Sequence, residues 1–292
     1  MFNGFDTKRI AVGDTDFHIR IGGSGPPVLL LHGFPQTHHA WHQVAPLLAE
    51  RFTVIVPDTP GYGATHGPEP TVENFAKRAL AQRCAGVMAA LGFSRFHLAG
   101  HDRGARIGYR LALDTPERID RLAMLDILPT AEVWQAMDAE AALSSYHWLL
   151  LAQNDPALQR LIGLDAPGYV RHLIDRWAHH RDRLDPAAVD AYAGSYTSPS
   201  VVAAMFADYR AGATLDRDLD RADRQAGKTI TAPLLLLWGA HYLRERSRSH
   251  LDVWRDWAED VTVERLDCGH FLAEEAAEPC ADALFRFFTN ES

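Results

Sequence analysis

The stretch Phe96-His97-Leu98-Ala99-Gly100-His101-Asp102-Arg103-Gly104-Ala105-Arg106 carries an apolar strand pattern into a turn of the form Gly-x-Asp-x-Gly, after which helical spacing begins. Small residues on both sides of one central residue define the strand-turn-helix elbow that pushes a nucleophilic side chain into a pocket. The residue at the apex is Asp102. A serine there would need a base to take its proton, whereas an aspartate, with an ordinary pKa of about 3.9, is already an anion at neutral pH. Carboxylate attack on a saturated carbon gives an ester that water can cleave at the carbonyl; serine attack on the same carbon would leave a stable ether. The chemistry therefore points away from ester or peptide cleavage.

In a parallel sheet, reacting groups collect at the carboxyl ends of the strands. Three apolar runs end in suitable residues: Asp102, Asp126 after Leu122-Ala123-Met124-Leu125, and His270 in Asp267-Cys268-Gly269-His270-Phe271. Their order along the chain is nucleophile, acid, histidine, the order of the α/β-hydrolase arrangement. His270 is the expected base and Asp126 the acid that orients it. A second strand end, Trp238-Gly239, offers no carboxylate until Glu245, which favours Asp126. The backbone N–H groups of Phe34, after His32-Gly33, and of Arg103 are the expected oxyanion donors. His32 is read as support for that turn, and His38 and His39 as ordinary loop or helix-start residues. Arg103 and Arg106 lie three apart at the start of the helix after Asp102, hence on one face beside the reacting group. Two guanidiniums there suit a substrate carboxylate.

Strand-helix alternation must position these residues. Residues 8–22 alternate around Gly13-Asp14 as an antiparallel hairpin at a sheet edge, and Val28–Leu31, Phe52–Val56, residues 96–100, Leu122–Leu125, 232–239 and Val261–Leu266 read as strands. Helical spacing is expected over Trp41–Leu48, Val72–Leu91, 103–114, 247–258 and 276–288. From 129 to 227 the chain is rich in Ala, Arg and Asp, shows no strand pattern, and is broken at Asp155-Pro156, Ala166-Pro167 and Ser198-Pro199. The expected architecture is an α/β fold with a mostly parallel, doubly wound sheet: a core of residues 1–128 and 228–292, and an inserted helical cap of residues 129–227.

The 292 residues are 47% hydrophobic, enough for a large core, and the net charge of −9 argues against nucleic acid or an anionic membrane as partner. An anionic substrate would need a local cationic site, which the paired arginines supply. Cys84, Cys268 and Cys280 are odd in number and scattered, so neither a disulfide framework nor a zinc site is indicated. With no leader-like start and no apolar run near the ~18 residues of a membrane span, the expectation is a cytoplasmic protein that needs no metal or organic cofactor.

The sequence resembles the fluoroacetate dehalogenases of the α/β-hydrolase superfamily over nearly its whole length. The resemblance rests on His32-Gly33-Phe34-Pro35-Gln36, Gly61-Tyr62-Gly63, Gly100–Arg106, Asp126-Ile127-Leu128-Pro129-Thr130, Tyr146-His147-Trp148, Asp208-Tyr209-Arg210-Ala211 and Gly269-His270-Phe271. The paired arginines and Tyr-His-Trp are its specific parts; the His-Gly and Gly-Tyr-Gly segments are common to epoxide hydrolases. One departure is Pro60, where an arginine commonly precedes Gly-Tyr-Gly. The resemblance implies that Arg103 and Arg106 bind the substrate carboxylate, that His147, Trp148 and Tyr209 surround the departing halide, and that the protein is a homodimer. An imidazole, an indole N–H and a phenol can each donate to a halide. The expected reaction is hydrolysis of a short 2-haloacid, haloacetate giving glycolate, with a small haloacid and water as the only partners. The rival is an epoxide hydrolase with the same Asp-His-Asp chemistry and Tyr146 and Tyr209 as proton donors.

Overall fold

The computed structural model describes residues 1–245 and 248–290. Eight strands form one sheet in the order β1-β2-β4-β3-β5-β6-β7-β8, with β1 Phe5–Val12, β2 Thr15–Gly22, β3 Pro27–Leu31, β4 Thr53–Pro57, β5 Phe96–His101, β6 Ile119–Leu125, β7 Leu234–Gly239 and β8 Val261–Leu266. β1 and β2 are the expected edge hairpin, paired antiparallel from Phe5 opposite Gly22 to Val12 opposite Thr15. β2 joins β4 antiparallel, and every later pairing is parallel.

The continuous apolar runs are buried on both faces because side chains alternate across the pleat. Leu29, Leu31, Leu98, Leu122 and Leu234 pack on one face with Leu80 and Ile107 from the helices Lys77–Ala90 and Arg103–Asp114. Val28, Leu30, Ala99, Ala123 and Leu235 pack on the other with Leu48 and Leu284 from the helices Val44–Leu48 and Ala277–Thr289. Burying each such leucine stabilises by roughly 1.5–3 kcal/mol. This rigid doubly wound sheet aligns the ends of β5, β6 and β8 along one rim.

Between β6 and β7 the described residues form eight α-helices and one 3-10 turn, with no strand. The aspartate-rich composition has a local cause: Asp138, Asp155, Asp165 and Asp185 each cap a helix by accepting a backbone N–H, and prolines open several of those helices. This segment carries its own apolar cluster, including Trp148, Trp177, Met205 and Tyr209, which closes onto Phe34, Tyr62 and Phe271 from the loops of the sheet.

The single helix expected over Val72–Leu91 is two, Val72–Phe75 and Lys77–Ala90, because Ala76 is extended at φ −58°, ψ 138°. The Lys77 N–H, freed at the new helix start, donates to Asp216 Oδ1 at 2.7 Å. The helix expected over 247–258 is found as His250–Arg255; its expected first residue, Ser247, lies outside the described residues, as do the last two residues, 291–292, of the expected core. Cys84, Cys268 and Cys280 are free and buried. No helix is long and apolar enough to cross a membrane among the described residues.

Candidate active site

Asp102 sits at φ 44°, ψ −115°, a backbone conformation that side chains rarely adopt and that surrounding structure must enforce. The neighbouring glycines are what allow it. A Cβ on Gly104 would lie 2.4 Å from the carbonyl oxygens of Leu31 and His32, and one on Gly100 would lie 2.6 Å from the Ala105 backbone. β3 and the first turn of the helix can thus approach the elbow only without side chains there.

The Phe34 N–H donates to Asp102 Oδ1 at 3.0 Å, so one carboxylate oxygen rests on an expected oxyanion donor. His32 supports the turn as expected: its Nδ1 faces Gly33 O at 2.9 Å, and the Thr59 N–H donates to its Nε2 at 2.9 Å. Burial pushes Asp102 toward the neutral form, but His270, Arg106 and Arg103 outweigh it and hold the carboxyl below its ordinary range.

The sheet brings Asp126 and His270 together from positions far apart in sequence. His270 Nδ1 lies 2.5 Å from Asp126 Oδ2, while Asp126 Oδ1 accepts from the Gly239 N–H at 3.1 Å. Asp126 also has a positive φ, 56°, and its N–H donates to Leu237 O at 2.8 Å. β7 therefore positions the acid that β6 carries. Burial works against a charged His270, yet the Asp126 hydrogen bond and the Asp126 and Asp102 charges raise its pKa above the ordinary value.

Arg103 and Arg106 are both buried against the expected halide residues. Arg103 Cζ stands 4.4 Å from the Tyr209 ring centroid and 5.8 Å from that of Trp148, and Arg106 Cζ stands 4.7 Å from Trp148. His147 packs between Trp177, at 4.6 Å, and Tyr209, at 5.8 Å, and burial lowers its pKa to about 3, so it is a neutral imidazole. Arg103 Nη1, Arg106 Nε, His147 Nδ1 and the Tyr196 hydroxyl are buried without a hydrogen-bond partner among the described residues.

Residues 26–277 match the alpha/beta hydrolase fold family. The chain is an α/β hydrolase. It is 37% identical to a fluoroacetate dehalogenase from Burkholderia sp, over 99% of this chain and 96% of the relative. It is also 28% identical to a soluble epoxide hydrolase from Corynebacterium sp. (strain C12), over 93% of each. Among solved structures, ALR0039 from Nostoc sp PCC 7120, a provisionally assigned α/β hydrolase, superposes with a TM-score of 0.95 at 40% identity, covering 99% of both chains.

Several groups that shape this hydrolase's site have roles that no sequence motif discloses. Asp208 accepts from Arg103 Nε at 2.9 Å and Nη2 at 2.6 Å, from the Tyr62 hydroxyl at 2.9 Å, and from Lys77 Nζ. These partners hold the Asp208 carboxyl far below its ordinary range despite complete burial. Among the described residues only one guanidinium nitrogen of Arg103, Nη1, is without a partner, while Arg106 Nη1 donates to Leu128 O and Thr130 Oγ1. Glu275 accepts the N–H groups of Gly269 and Phe271, on either side of His270, and those of His179 and His180, all within 2.9 Å. Tyr146 turns its ring toward Arg176, 5.7 Å away.

His38 does begin a 3-10 helix as expected, but it is also buried against Asp58, which accepts from both its N–H and Nδ1. With His18 these are the described residues that bring three metal-ligating atoms within 4.8 Å of one another. The Asp58 carboxylate also accepts from the Ala64 N–H, so its oxygens are engaged in fixing the loop after β4.

Proposed function

We propose that this hydrolase removes halide from a short 2-haloacid, with Asp102 as nucleophile, His270 as base and Asp126 as the acid that orients it. The observation that carries the proposal is that Arg103 Nη1, Arg106 Nε and His147 Nδ1 are buried without a hydrogen-bond partner among the described residues, on side chains close enough to the Asp102 carboxylate to interact with it electrostatically. Buried donors without partners cost stability unless a ligand satisfies them. Guanidinium groups there favour a substrate that brings its own carboxylate, which an epoxide does not.

The steps follow from the geometry. Asp102 Oδ1 rests on the Phe34 N–H, leaving Oδ2 to attack the carbon that bears the halogen. The C–O bond forms as the carbon–halogen bond breaks, and the halide departs with both bonding electrons toward His147, Trp148 and Tyr209. Fluoride is a poor leaving group, so donors placed where its charge develops lower the barrier most. The resulting ester carbonyl already has Oδ1 against the Phe34 N–H; the Arg103 N–H is the second oxyanion donor. His270 then takes a proton from water as its oxygen adds to the ester carbonyl; on collapse His270 returns that proton to the departing alkoxide oxygen, releasing the hydroxy acid, and the Asp102 carboxyl loses its own proton to solvent to restore the anion. Arg103 and Arg106 hold the carboxylate throughout, a positioning contribution.

The test is a parallel assay of halide released from fluoro-, chloro- and bromoacetate and of diol formed from styrene oxide. Halide and glycolate without diol support the proposal. Diol without halide establishes the epoxide-hydrolase alternative, in which Tyr146 and Tyr209 would be the proton donors.

A further inference from the structure

Behind His270 runs a buried polar chain that the proposed reaction does not use. His101 Nε2 lies 2.8 Å from the carbonyl oxygen of His270, and His101 Nδ1 lies 3.0 Å from Gln36 Oε1. Gln36 Nε2 in turn lies 2.5 Å from Glu274 Oε2, and Glu274 Oε1 accepts from the Tyr192 hydroxyl at 3.0 Å. His101, Gln36 and Glu274 are each no more than 3% exposed, so bulk solvent does not reach them.

Proton bookkeeping along this chain allows two solutions. The His270 carbonyl only accepts, so His101 Nε2 must carry a proton. With the Gln36 oxygen toward His101, Nδ1 must carry one too; His101 is then a cation and Glu274 an anion, separated by the length of an amide. With the Gln36 amide turned the other way round, its nitrogen donates to a neutral His101, and its oxygen requires a donor from Glu274. Glu274 must then be a protonated carboxylic acid. Both solutions hold one proton in the chain, and they differ in which end has it.

We propose that Glu274 holds that proton as a neutral carboxylic acid and acts, through Gln36 and a neutral His101, as a positioning residue for the His270 loop. Two separated charges without direct contact are costly in a buried site, whereas the neutral chain satisfies every donor and acceptor. The surroundings agree. Burial, with Glu275 and Asp185 nearby, raises Glu274 to about 8, and burial beside His270 lowers His101 to about 3. The other charged groups around this short helix face elsewhere: Glu275 takes its backbone donors, Arg183 donates to Glu275 O at 2.8 Å, and Asp185 faces His42 at 3.6 Å. The consequence reaches the site because the His101 ring is 4.5 Å from that of His270, and a cation there would oppose protonation of the base.

Infrared spectroscopy of wild-type protein with glutamate-selective carbon-13 labelling tests this without any substrate. The label separates Glu274 from the buried aspartates. The expected result is one protonated glutamic acid band at pH 7 that fades around pH 8 and is missing in Glu274→Gln. Stability gives a second readout. A carboxyl whose folded pKa lies above its unfolded value of 4.5 contributes stability that is present below pH 4.5 and lost as pH rises through about 8. Glu274→Gln, which keeps a donor for Gln36, should therefore gain denaturant resistance relative to wild type across that window. Ionised glutamate signals alone at pH 7, or a Gln variant whose resistance relative to wild type falls as pH rises through the window, would overturn the proposal. Neither readout depends on halide release.

Discussion

Asp208 grips Arg103 through two guanidinium nitrogens, at 2.9 and 2.6 Å, and its backbone carbonyl accepts from the same Nη2 at 2.7 Å. Arg103 is thereby fixed by the helical segment, although it follows the nucleophile in sequence. Asp208→Asn would leave Arg103 and Lys77 buried without their shared counter-ion. Such a loss costs about 3–5 kcal/mol, and KM for haloacetate should rise as Arg103 loosens. Chemical denaturation and steady-state kinetics check this; unchanged stability would mean that the ion cluster is dispensable.

The meeting of Asp102, Asp126 and His270 was legible because strand ends are. Asp102 and Asp126 each follow an apolar run whose burial on two faces fixes where the strand stops, and His270 follows the edge strand β8, so position in the chain implied position on the rim. Asp208 was visible as part of a motif, but its role was not. It depends on a helix of the inserted segment crossing over the elbow, a long-range packing event without a local pattern. The break at Ala76 was hidden for the same reason, since the Asp216 carboxylate that receives the Lys77 N–H lies in a distant helix. Glu275 also escaped: its clamp on the His270 loop uses backbone N–H groups, which every sequence supplies.

Arg106 keeps Nε without a partner while Nη1 anchors on Leu128 O and Thr130 Oγ1. Arg106→Gln removes the charge and the donor proposed to face the substrate. A charge-assisted hydrogen bond is worth about 1.5–3 kcal/mol. The corresponding fall in kcat/KM on chloroacetate is roughly tenfold to 150-fold. Inhibition by acetate should weaken in parallel, which an inhibition assay would show.

His147 is a neutral donor, its pKa lowered to about 3 by burial. Replacing it with Phe keeps much of the volume and removes the N–H. The loss should be greatest where the leaving group needs most help. A fall in kcat of about 100-fold or more is expected for fluoroacetate, with a much smaller fall for bromoacetate. Equal losses on both would place His147 in packing rather than at the halide.

His270 has its proton held by the 2.5 Å contact with Asp126. Its folded pKa lies above the ordinary 6.5, so it adds stability that is present below pH 6.5 and lost as pH rises through the folded value. Activity should follow the opposite limb, rising as His270 becomes neutral. In Asp126→Asn, burial is no longer opposed by the adjacent anion, and the ring should titrate below 6.5. Ring-proton NMR titration of wild type and variant measures both values.

The covalent route through Asp102 is tested most directly in His270→Ala, which can form the ester but lacks the base to hydrolyse it. After incubation with chloroacetate, the account predicts halide release limited to one equivalent per protein and a carboxymethyl adduct, seen by mass spectrometry on the peptide containing Asp102. Continued halide release with Asp102 unmodified would contradict it.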